Sequence, residues 1–258
     1  MGMDKEGKKL VQKVFSENKQ AYVTSNTHAK GADLLAIPDW LSLSATDRVL
    51  DIATGGGHVA RTLSPYVDQM YATDLTKEML AEAARHLQSF DNIHYITADA
   101  ENLPFLNNSF DHVVCRIAAH HFPSPNCFVK EVERVLKPGG SFLLIDNIAS
   151  ETDSFDIFIN TLEKLRDRSH HRSLKISEWK QIFYRNQLKI TKEQTRKKTL
   201  PFDNWLHRTV QDKKWRQKVS TFVLTAGPNI LNHYQFEIKE KRIHSFALDE
   251  WMVLGTKL

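Results

Sequence analysis

The sequence has little of what marks secreted, metal-binding or membrane-spanning proteins. It contains two cysteines in 258 residues, Cys115 and Cys127, whose spacing matches neither a disulfide framework nor a zinc site. No stretch approaches the roughly 20 apolar residues that a membrane-spanning helix needs. The N-terminal segment lacks the apolar run of a signal peptide. These absences predict a cytoplasmic protein with reduced thiols, no membrane span and no bound metal.

Charge is distributed unevenly along the chain. Residues 1–150 contain 14 lysines and arginines against 18 aspartates and glutamates, whereas residues 151–258 contain 21 against 13. The net charge therefore changes from −4 in the first part to +8 in the second. Such asymmetry can indicate an anionic partner, but the basic residues are scattered and no nucleic-acid-binding fingerprint accompanies them. We interpret them as the solvated surface of helices, which disfavours a nucleic-acid partner.

Residues 48–148 alternate short apolar runs with amphipathic segments. The apolar runs, each of which predicts a strand, are 48–53, 69–74, 92–97, 110–117 and 141–148. Between them lie segments in which apolar residues recur at helical spacing. Strand–helix alternation with short connections predicts βαβ units and a mostly parallel sheet with helices on both faces.

Four segments of different character follow one another along the chain. Residues 1–47 predict an N-terminal helical cap, and residues 48–150 predict the sheet core. Residues 151–231 contain amphipathic helices, which predict a helical lid inserted into the core. Residues 232–258 alternate apolar and polar side chains, so they predict the last two strands of the sheet, joined near 244–245.

A glycine-rich loop follows the first predicted strand, in the stretch VLDIATGGGH (49–58). Glycines at the carboxyl end of a strand let a ligand approach the backbone closely. Gly55, Gly57 and Ala60 satisfy the G-x-G-x-x-A form of the dinucleotide fingerprint. Asp74, at the end of the second strand, can accept two hydrogen bonds from a ribose diol. These features fit NAD and equally fit other adenosine-containing cofactors.

Three further features help to distinguish NAD from the other adenosine-containing cofactors. Asp51 lies inside the first strand, where a dinucleotide fold disfavours a buried charge. Asp99 ends the third strand, where it can accept a hydrogen bond from an adenine amino group. The links LPFLNNSFDHVVC (103–115) and VLKPGGSFLLID (135–146) lead into the fourth and fifth strands. An NAD-dependent oxidoreductase leaves Asp99 and the second link unexplained.

Together these motifs resemble the core of class I S-adenosylmethionine-dependent methyltransferases, most closely the group containing the ubiquinone and menaquinone C-methyltransferases. The family's glycine motif usually reads D-x-G-x-G-x-G. This chain has Asp51, Ala53, Gly55 and Gly57 at those positions, so Ala53 replaces the first glycine. The resemblance implies a Rossmann-like α/β fold, with a seven-stranded, mostly parallel sheet whose last strand is antiparallel. It also implies S-adenosyl-L-methionine as cofactor.

The resemblance further implies a role for each residue of the cofactor site. Asp51 would lie near the methionine amino group, Asp74 would hold the ribose hydroxyls, and Asp99 would meet the adenine amino group. Leu75 and Met79 would pack on the adenine. The other predicted contacts are Ala53, Gly55, Gly57, Ala100 and Tyr22.

The segment CRIAAHHFPSP (115–125) follows the fourth strand, where this fold places groups that face the methyl donor. Arg116, His120 and His121 are the catalytic candidates, because a histidine can act as a base near neutral pH. The two histidines fit a structural or capping role equally well. Methyltransferases of nucleic-acid amino groups commonly have Asn or Asp, two prolines and an aromatic residue here, so nucleobase methylation loses support.

The predicted lid carries a second group of cations and an aromatic residue. Its members are Arg168, His170, His171, Arg172 and Trp179. The cations either bind an anionic group on the substrate or end a helix favourably against its dipole, and we favour the second interpretation.

We therefore expect a methyltransferase that acts on a small-molecule acceptor. Two alternatives stay open: an RNA methyltransferase that uses the basic second part of the chain, and a non-catalytic protein that binds S-adenosylmethionine. The sequence indicates neither the acceptor, nor the atom that is methylated, nor the oligomeric state.

Overall fold

In the part of the chain that the structure describes, two helices precede the sheet. The computed structural model describes residues 5–23 and 31–258, with side chains from residue 5 to 17 and from 31 onward. Helix α1 (Lys5–Val23) is the longer of the two, and α2 (Ala32–Trp40) buries Leu34 and Ile37 against the sheet core.

In the described part of the chain, seven strands form a continuous sheet, and an eighth pairs off its path. The strands are β1 (Arg48–Ile52), β2 (Gln69–Asp74), β3 (Ile93–Thr97), β4 (Phe110–Arg116), β5 (Leu136–Ile148), β6 (Leu188–Pro201), β7 (Glu237–Lys239) and β8 (Arg242–Lys257). Their order is β3-β2-β1-β4-β5-β8-β6, with the short β7 against β8. β1 to β5 pair in parallel, and β8 is antiparallel to both β5 and β6. The predicted α/β sheet, mostly parallel with an antiparallel last strand, is confirmed.

Helices cover both faces of this sheet. The described helices that follow β1 are α3 (His58–Leu63), α4 (Lys77–His86), α5 (Pro125–Val135), α6 (Asp153–Arg166), α7 (Ile176–Arg185), α8 (Phe202–His207), α9 (Lys213–Leu224) and α10 (Pro228–His233). Helix α5 illustrates the local rules. The Ser124 side chain caps its N-terminus by accepting a hydrogen bond from the Cys127 N–H. Phe128, Val132 and Val135 recur on one face and are fully buried, so burial of an apolar stripe holds the helix on the sheet.

Helix α7 belongs to the sheet core, although the sequence places it in the lid. Trp179 and Phe183 are buried in the same apolar cluster as β4 and β5, and the Phe183 ring stacks on Phe142 with centroids 5.4 Å apart. The amphipathic face of α7 fits the sheet because Gly255, in β8, leaves room for Phe183: a Cβ atom there would lie 2.9 Å from the ring.

Residues 151–231, for which the sequence predicts a helical lid, are not helical throughout, because β6 runs through 188–201. This strand lies at the edge of the sheet and most of its side chains are exposed, so it lacks the apolar alternation that reveals a half-buried strand. The predicted tail hairpin is also displaced. The turn lies at Glu240 and Lys241, whose φ angles are 49° and 62°, and β8 continues through 244–245.

A separate apolar cluster holds the remaining helices together. Helices α6, α8 and α9 pack on the ends of β6 and β8 through side chains that include Phe158, Trp205 and Phe246. We call α6, α8, α9 and α10 the helical layer. None of the described helices is both long and apolar enough to cross a membrane.

Candidate functional site

A cleft opens beside the carboxyl ends of β1, β2 and β4, walled on its other sides by α1, β6 and the helical layer. Its volume is about 1480 Å³, including its open mouth. The carboxyl ends of parallel strands are where open α/β sheets bind ligands.

The two halves of the cleft carry opposite charge. We call the part lined by Asp51, Asp74 and Asp99 the acidic half. The other part, the basic half, is lined by Glu163 and by four cations. The cations are Arg116, Arg166, Lys198 and Arg208.

The glycine loop bends through left-handed backbone conformations. Gly55 has a φ of 54°, and a Cβ atom placed on it would meet only Met79 Cε, at 3.8 Å, within 4 Å. Ala53 takes the first glycine position of the motif and adopts the same conformation, with a φ of 55°. A left-handed backbone costs an alanine about 1–2 kcal/mol. The loop therefore keeps the glycine-like path despite the substitution.

A second strained residue lies across the cleft, at the end of β4. Ile117 has a φ of 53°, which is rare for a β-branched side chain. Its N–H donates to the Ile145 carbonyl at 2.7 Å, so pairing with β5 fixes this backbone. Ala53 and Ile117 both line the cleft, and strain of this kind clusters at functional sites.

Gly57, for which the sequence predicts a cofactor contact, is not among the residues that line the cleft, whereas the adjacent Gly56 is. Gly57 has a φ of 79°, and a Cβ atom there would lie 2.7 Å from Leu87 Cδ1 and 3.3 Å from Ala83 Cβ. A glycine is needed here because the loop packs tightly against α4. Sequence spacing identifies the glycines but cannot tell which one turns to the ligand and which to a helix.

The acidic half contains two carboxyls with raised pKa values, of which Asp51 is buried and Asp74 is half-buried. Asp74 Oδ2 accepts the Gly55 N–H at 3.0 Å and Oδ1 accepts the Thr76 N–H at 2.8 Å, while burial raises the pKa of Asp74 to about 6. Asp51 Oδ2 accepts the Thr54 hydroxyl at 2.5 Å. Burial raises the pKa of Asp51 to about 7. Both carboxylates gain from a ligand that brings positive charge or hydrogen-bond donors.

Helix α1 is tied to the acidic half through Asp99. Lys8 Nζ lies 2.6 Å from Asp99 Oδ2 and 2.6 Å from Glu101 Oε2. The Gln12 amide donates to the Leu75 carbonyl at 2.9 Å. Leu75, Met79 and Ala100, for which the sequence predicts cofactor contacts, also line the cleft. Tyr22 belongs to the last turn of α1, outside the described side chains.

His120 is held by a buried carboxylate at the end of β5. Asp146 accepts both the His120 backbone N–H, at 2.9 Å, and its ring Nδ1, at 2.6 Å. Burial alone would lower the pKa of His120, but the Asp146 charge outweighs it and raises the pKa. The ring lines the cleft. Asp146 therefore fixes the orientation of the His120 ring. It binds Nδ1 of that ring and not Nε2.

His121 has a different environment. Its Nδ1 lies 3.0 Å from the Ser169 carbonyl oxygen, and its ring centroid is 4.3 Å from that of His120. Burial and the neighbouring His120 lower the pKa of His121 to about 4, so its ring is neutral at pH 7. His170 packs against both rings and bonds Asn160 Oδ1 at 3.0 Å.

Arg116 forms a buried ion pair that the sequence does not reveal. Its Nε donates to Asp33 Oδ2 at 2.5 Å, and Arg196 Nη2 lies 2.7 Å from Asp33 Oδ1. Burial would raise the pKa of Asp33, but the Arg116 guanidinium prevails and holds it well below its usual value. Asp33 thus connects α2, β4 and β6. Three elements far apart in sequence meet here, which no local motif predicts.

The five lid residues singled out from the sequence do not line the cleft. Arg172 pairs with Asp156 and Glu178, and Arg168 lies over the Trp215 ring. The basic half takes other cations instead, among them Lys198 in the edge strand. Among the described residues, no group of three or more His, Cys, Asp or Glu is placed to hold a metal ion.

Comparisons with known proteins agree with this geometry. A family model described as a methyltransferase domain matches residues 50–144. The chain is 41% identical to an uncharacterized methyltransferase of Bacillus subtilis (strain 168), YcgJ, over 246 residues that cover 94% of this chain and 97% of the relative. The chain belongs to the class I S-adenosylmethionine-dependent methyltransferases. The predicted family is confirmed.

Two further relatives set the scope of the similarity. The crystal structure of a Bacillus halodurans C-125 protein described as a methyltransferase superposes with a TM-score of 0.86 and 37% identity, covering 88% of this methyltransferase and 99% of that chain. A ubiquinone/menaquinone biosynthesis C-methyltransferase, UbiE, of Rickettsia typhi (strain ATCC VR-144 / Wilmington) is 36% identical over 107 residues, 38% of this chain and 43% of the relative. Similarity to UbiE thus covers less than half of the chain.

Proposed function

We propose that this methyltransferase transfers a methyl group from S-adenosyl-L-methionine to a small-molecule acceptor. The observation that carries the proposal is the acidic half of the cleft. Asp51, Asp74 and Asp99 line it together, at the ends of three adjacent parallel strands. The basic half of the same cleft would offer a second region for a small acceptor beside the cofactor.

The donor and acceptor groups of the acidic half fit the cofactor. A carboxylate offers about four lone-pair sites, and Asp74 uses one on each oxygen for the Gly55 and Thr76 N–H groups. The remaining lone pairs suit the two ribose hydroxyls. Asp51 is a desolvated carboxyl that an ammonium group would stabilise, which suits the methionine end of the cofactor.

The rest of the cofactor contacts follow from the same placement. Asp99 would accept from the adenine amino group, and Leu75, Met79 and Ala100 would pack against the ring. Ala53 and Gly55 leave the loop backbone accessible beneath the ligand. Gly57 is not among these proposed contacts, because it packs on α4. The contact of Tyr22 with the cofactor stays a prediction.

The cofactor would supply a methyl group on a positively charged sulfur, which an acceptor atom attacks in line. The chain has to align the two molecules and exclude water. Residues 1–47 and the helical layer would act as cap and lid over the core. Helix α7 and strand β6 also lie within residues 151–231, but they pack as part of the sheet. The proposed lid therefore consists of the helical layer without them.

We assign the proton-accepting role to His120. Asp146 binds its Nδ1, so Nε2 is the ring atom left to take a proton from an acidic acceptor. His121, with its pKa near 4, would pack beside it as a neutral ring. Arg116 would position the strand end through its pair with Asp33.

The test is transfer of isotopically labelled methyl from S-adenosylmethionine to two sets of acceptors: a small-molecule extract and total RNA. We expect label in small molecules and its loss in His120→Gln, with Asp146→Asn reduced less. General bases contribute about 10²–10⁴-fold to rate. Label in RNA would favour the RNA methyltransferase alternative. No label in either set, with cofactor bound, would favour the non-catalytic alternative.

We further propose a cytoplasmic location. Both cysteines are free thiols, with Cys115 buried and Cys127 exposed. An exposed thiol without a disulfide partner is typical of a reducing compartment.

A further inference from the structure

In the basic half of the cleft, Arg116 and Lys198 face the ligand while their balancing anions lie behind them, whereas Arg166 pairs with Glu163, which lines the cleft as well. Arg116 and Lys198 line the cleft. Asp33 and Glu250, with which they pair, are buried and do not line it. An acceptor therefore meets positive charge on this side.

Lys198 is a weakly satisfied cation. Among the described residues its one hydrogen bond goes to Glu250 Oε2, at 3.4 Å, the long limit for such a bond. Glu250 Oε1 is already engaged by Arg196 Nε at 2.5 Å. An ammonium group has three donors, so Lys198 keeps donor capacity in a mostly buried position. Burial lowers the pKa of Lys198, because the neighbouring carboxylates do not fully offset the cost of burying its charge.

Strand geometry places Lys198 inside an apolar frame. Leu200 lies two residues along β6 and therefore on the same face. Leu248 is the residue of β8 directly opposite Lys198. Both leucines line the cleft, as does Trp205 of the helical layer. The site thus combines one ammonium with aliphatic and aromatic walls.

We propose that the acceptor is a small amphipathic molecule whose anionic oxygen group binds Lys198 while its apolar body packs against Leu200, Trp205 and Leu248. This inference rests on the proposed function and names its substrate class. Arg208, which lines the same half, adds positive charge beside the site. His120 lines the same cleft, so an acceptor anchored at Lys198 is presented to the proposed base.

The first stage of the test saturates the protein with S-adenosylhomocysteine. The second titrates three probes of one shape by calorimetry: 2-naphthoate, 2-naphthyl phosphate and the neutral 2-naphthamide. We expect at least one of the two anions to bind about tenfold or more tightly than the neutral amide, because charge-assisted hydrogen bonds are stronger than neutral ones. Preference between the two anions identifies a carboxylate or a phosphate as the natural group.

Variants decide whether Lys198 is responsible. Lys198→Met should abolish the preference for anions, and Lys198→Arg should retain most of it. Lys197→Met is the matched control, because Lys197 is the next residue, with its Nζ 2.8 Å from Asp249 Oδ1. Retained binding of S-adenosylhomocysteine verifies that each variant is folded.

Three results would overturn the inference: equal binding of the amide, no binding of either anion at millimolar concentration, or an unchanged preference in Lys198→Met. Failure of the proposed function looks different. S-adenosylhomocysteine would then not bind in the first stage, whereas the probes would still report on Lys198.

Discussion

Acids line one half of the cleft and cations line the other, and the chain builds the two halves by different means. Each acid of the acidic half stands in or just after its own strand, within short motifs between residues 51 and 100. The basic half draws Arg116 from β4, Arg166 from α6 and Lys198 from β6. Its supporting anions come from α2 and β8.

This difference distinguishes the part of the site that related methyltransferases can share from the part that can vary between them. Local loops and strand ends can form a cofactor site wherever the sheet core is present, so the core can stay constant. The proposed acceptor site depends on long-range pairing of β6 with β8 and on the helical layer. Its chemistry can therefore change without disturbing the core, in line with UbiE sharing only part of the chain.

The largest expected effect is on the buried charges that support the basic half. Asp33→Ala removes the anion shared by Arg116 and Arg196, leaving both guanidinium groups without it. Breaking a buried pair in this way costs about 3–5 kcal/mol. Urea denaturation should show a loss of that size in the free energy of unfolding. The control variant Asp39→Ala, which changes an exposed residue of the same helix, should alter the free energy of unfolding little. Equal losses in the two variants would contradict a special contribution of the buried Asp33 charge.

A smaller effect is expected in the acidic half, on binding. Asp74→Ala removes the carboxylate proposed for the ribose hydroxyls and should weaken S-adenosylhomocysteine binding by about 1.5–3 kcal/mol. Calorimetry on the variant measures this, with Asp68→Ala, an exposed aspartate just before β2, as control. Unchanged affinity in Asp74→Ala would mean that the acidic half does not hold the ribose.

The two halves should also respond to pH in opposite directions. Asp51 and Asp74 have pKa values raised to about 7 and 6, above the roughly 3.9 of an unfolded aspartate. The unfolded chain therefore ionises first, and their contribution to stability is lost as the pH rises from about 4 through 7. Asp33, with a lowered pKa, contributes stability above pH 4 that is lost in acid.

The measurement compares the ligand-free protein with Asp74→Asn between pH 5 and 8. The original protein should lose stability relative to the variant as the pH rises, because the amide does not ionise. Parallel stability curves would contradict the raised pKa of Asp74.

The smallest expected effect concerns the loop itself. Ala53→Gly relieves about 1–2 kcal/mol of left-handed strain but adds roughly 0.4–1 kcal/mol of unfolded-state entropy. Thermal and urea denaturation should register a net gain of roughly 0.5 kcal/mol. A net loss would show that the methyl group of Ala53 contributes packing that outweighs its strain.

Sequence patterns predict the parallel core and most of the acidic half because both depend on local signals. Asp74 follows an apolar run and Gly55 lies in a recognisable loop, so spacing alone places them at the sheet edge. Strand β6 escapes prediction because an exposed edge strand has no apolar alternation. With β6 unplaced, Lys198 cannot be assigned to the cleft, nor can the Asp33 pair that joins three distant elements.

The most direct test of the central claim is calorimetric titration of the purified protein with S-adenosylhomocysteine and, separately, with NAD. If the acidic half is an S-adenosylmethionine site, the first compound binds with micromolar affinity and NAD gives no heat of binding. Binding of NAD without S-adenosylhomocysteine would contradict the account.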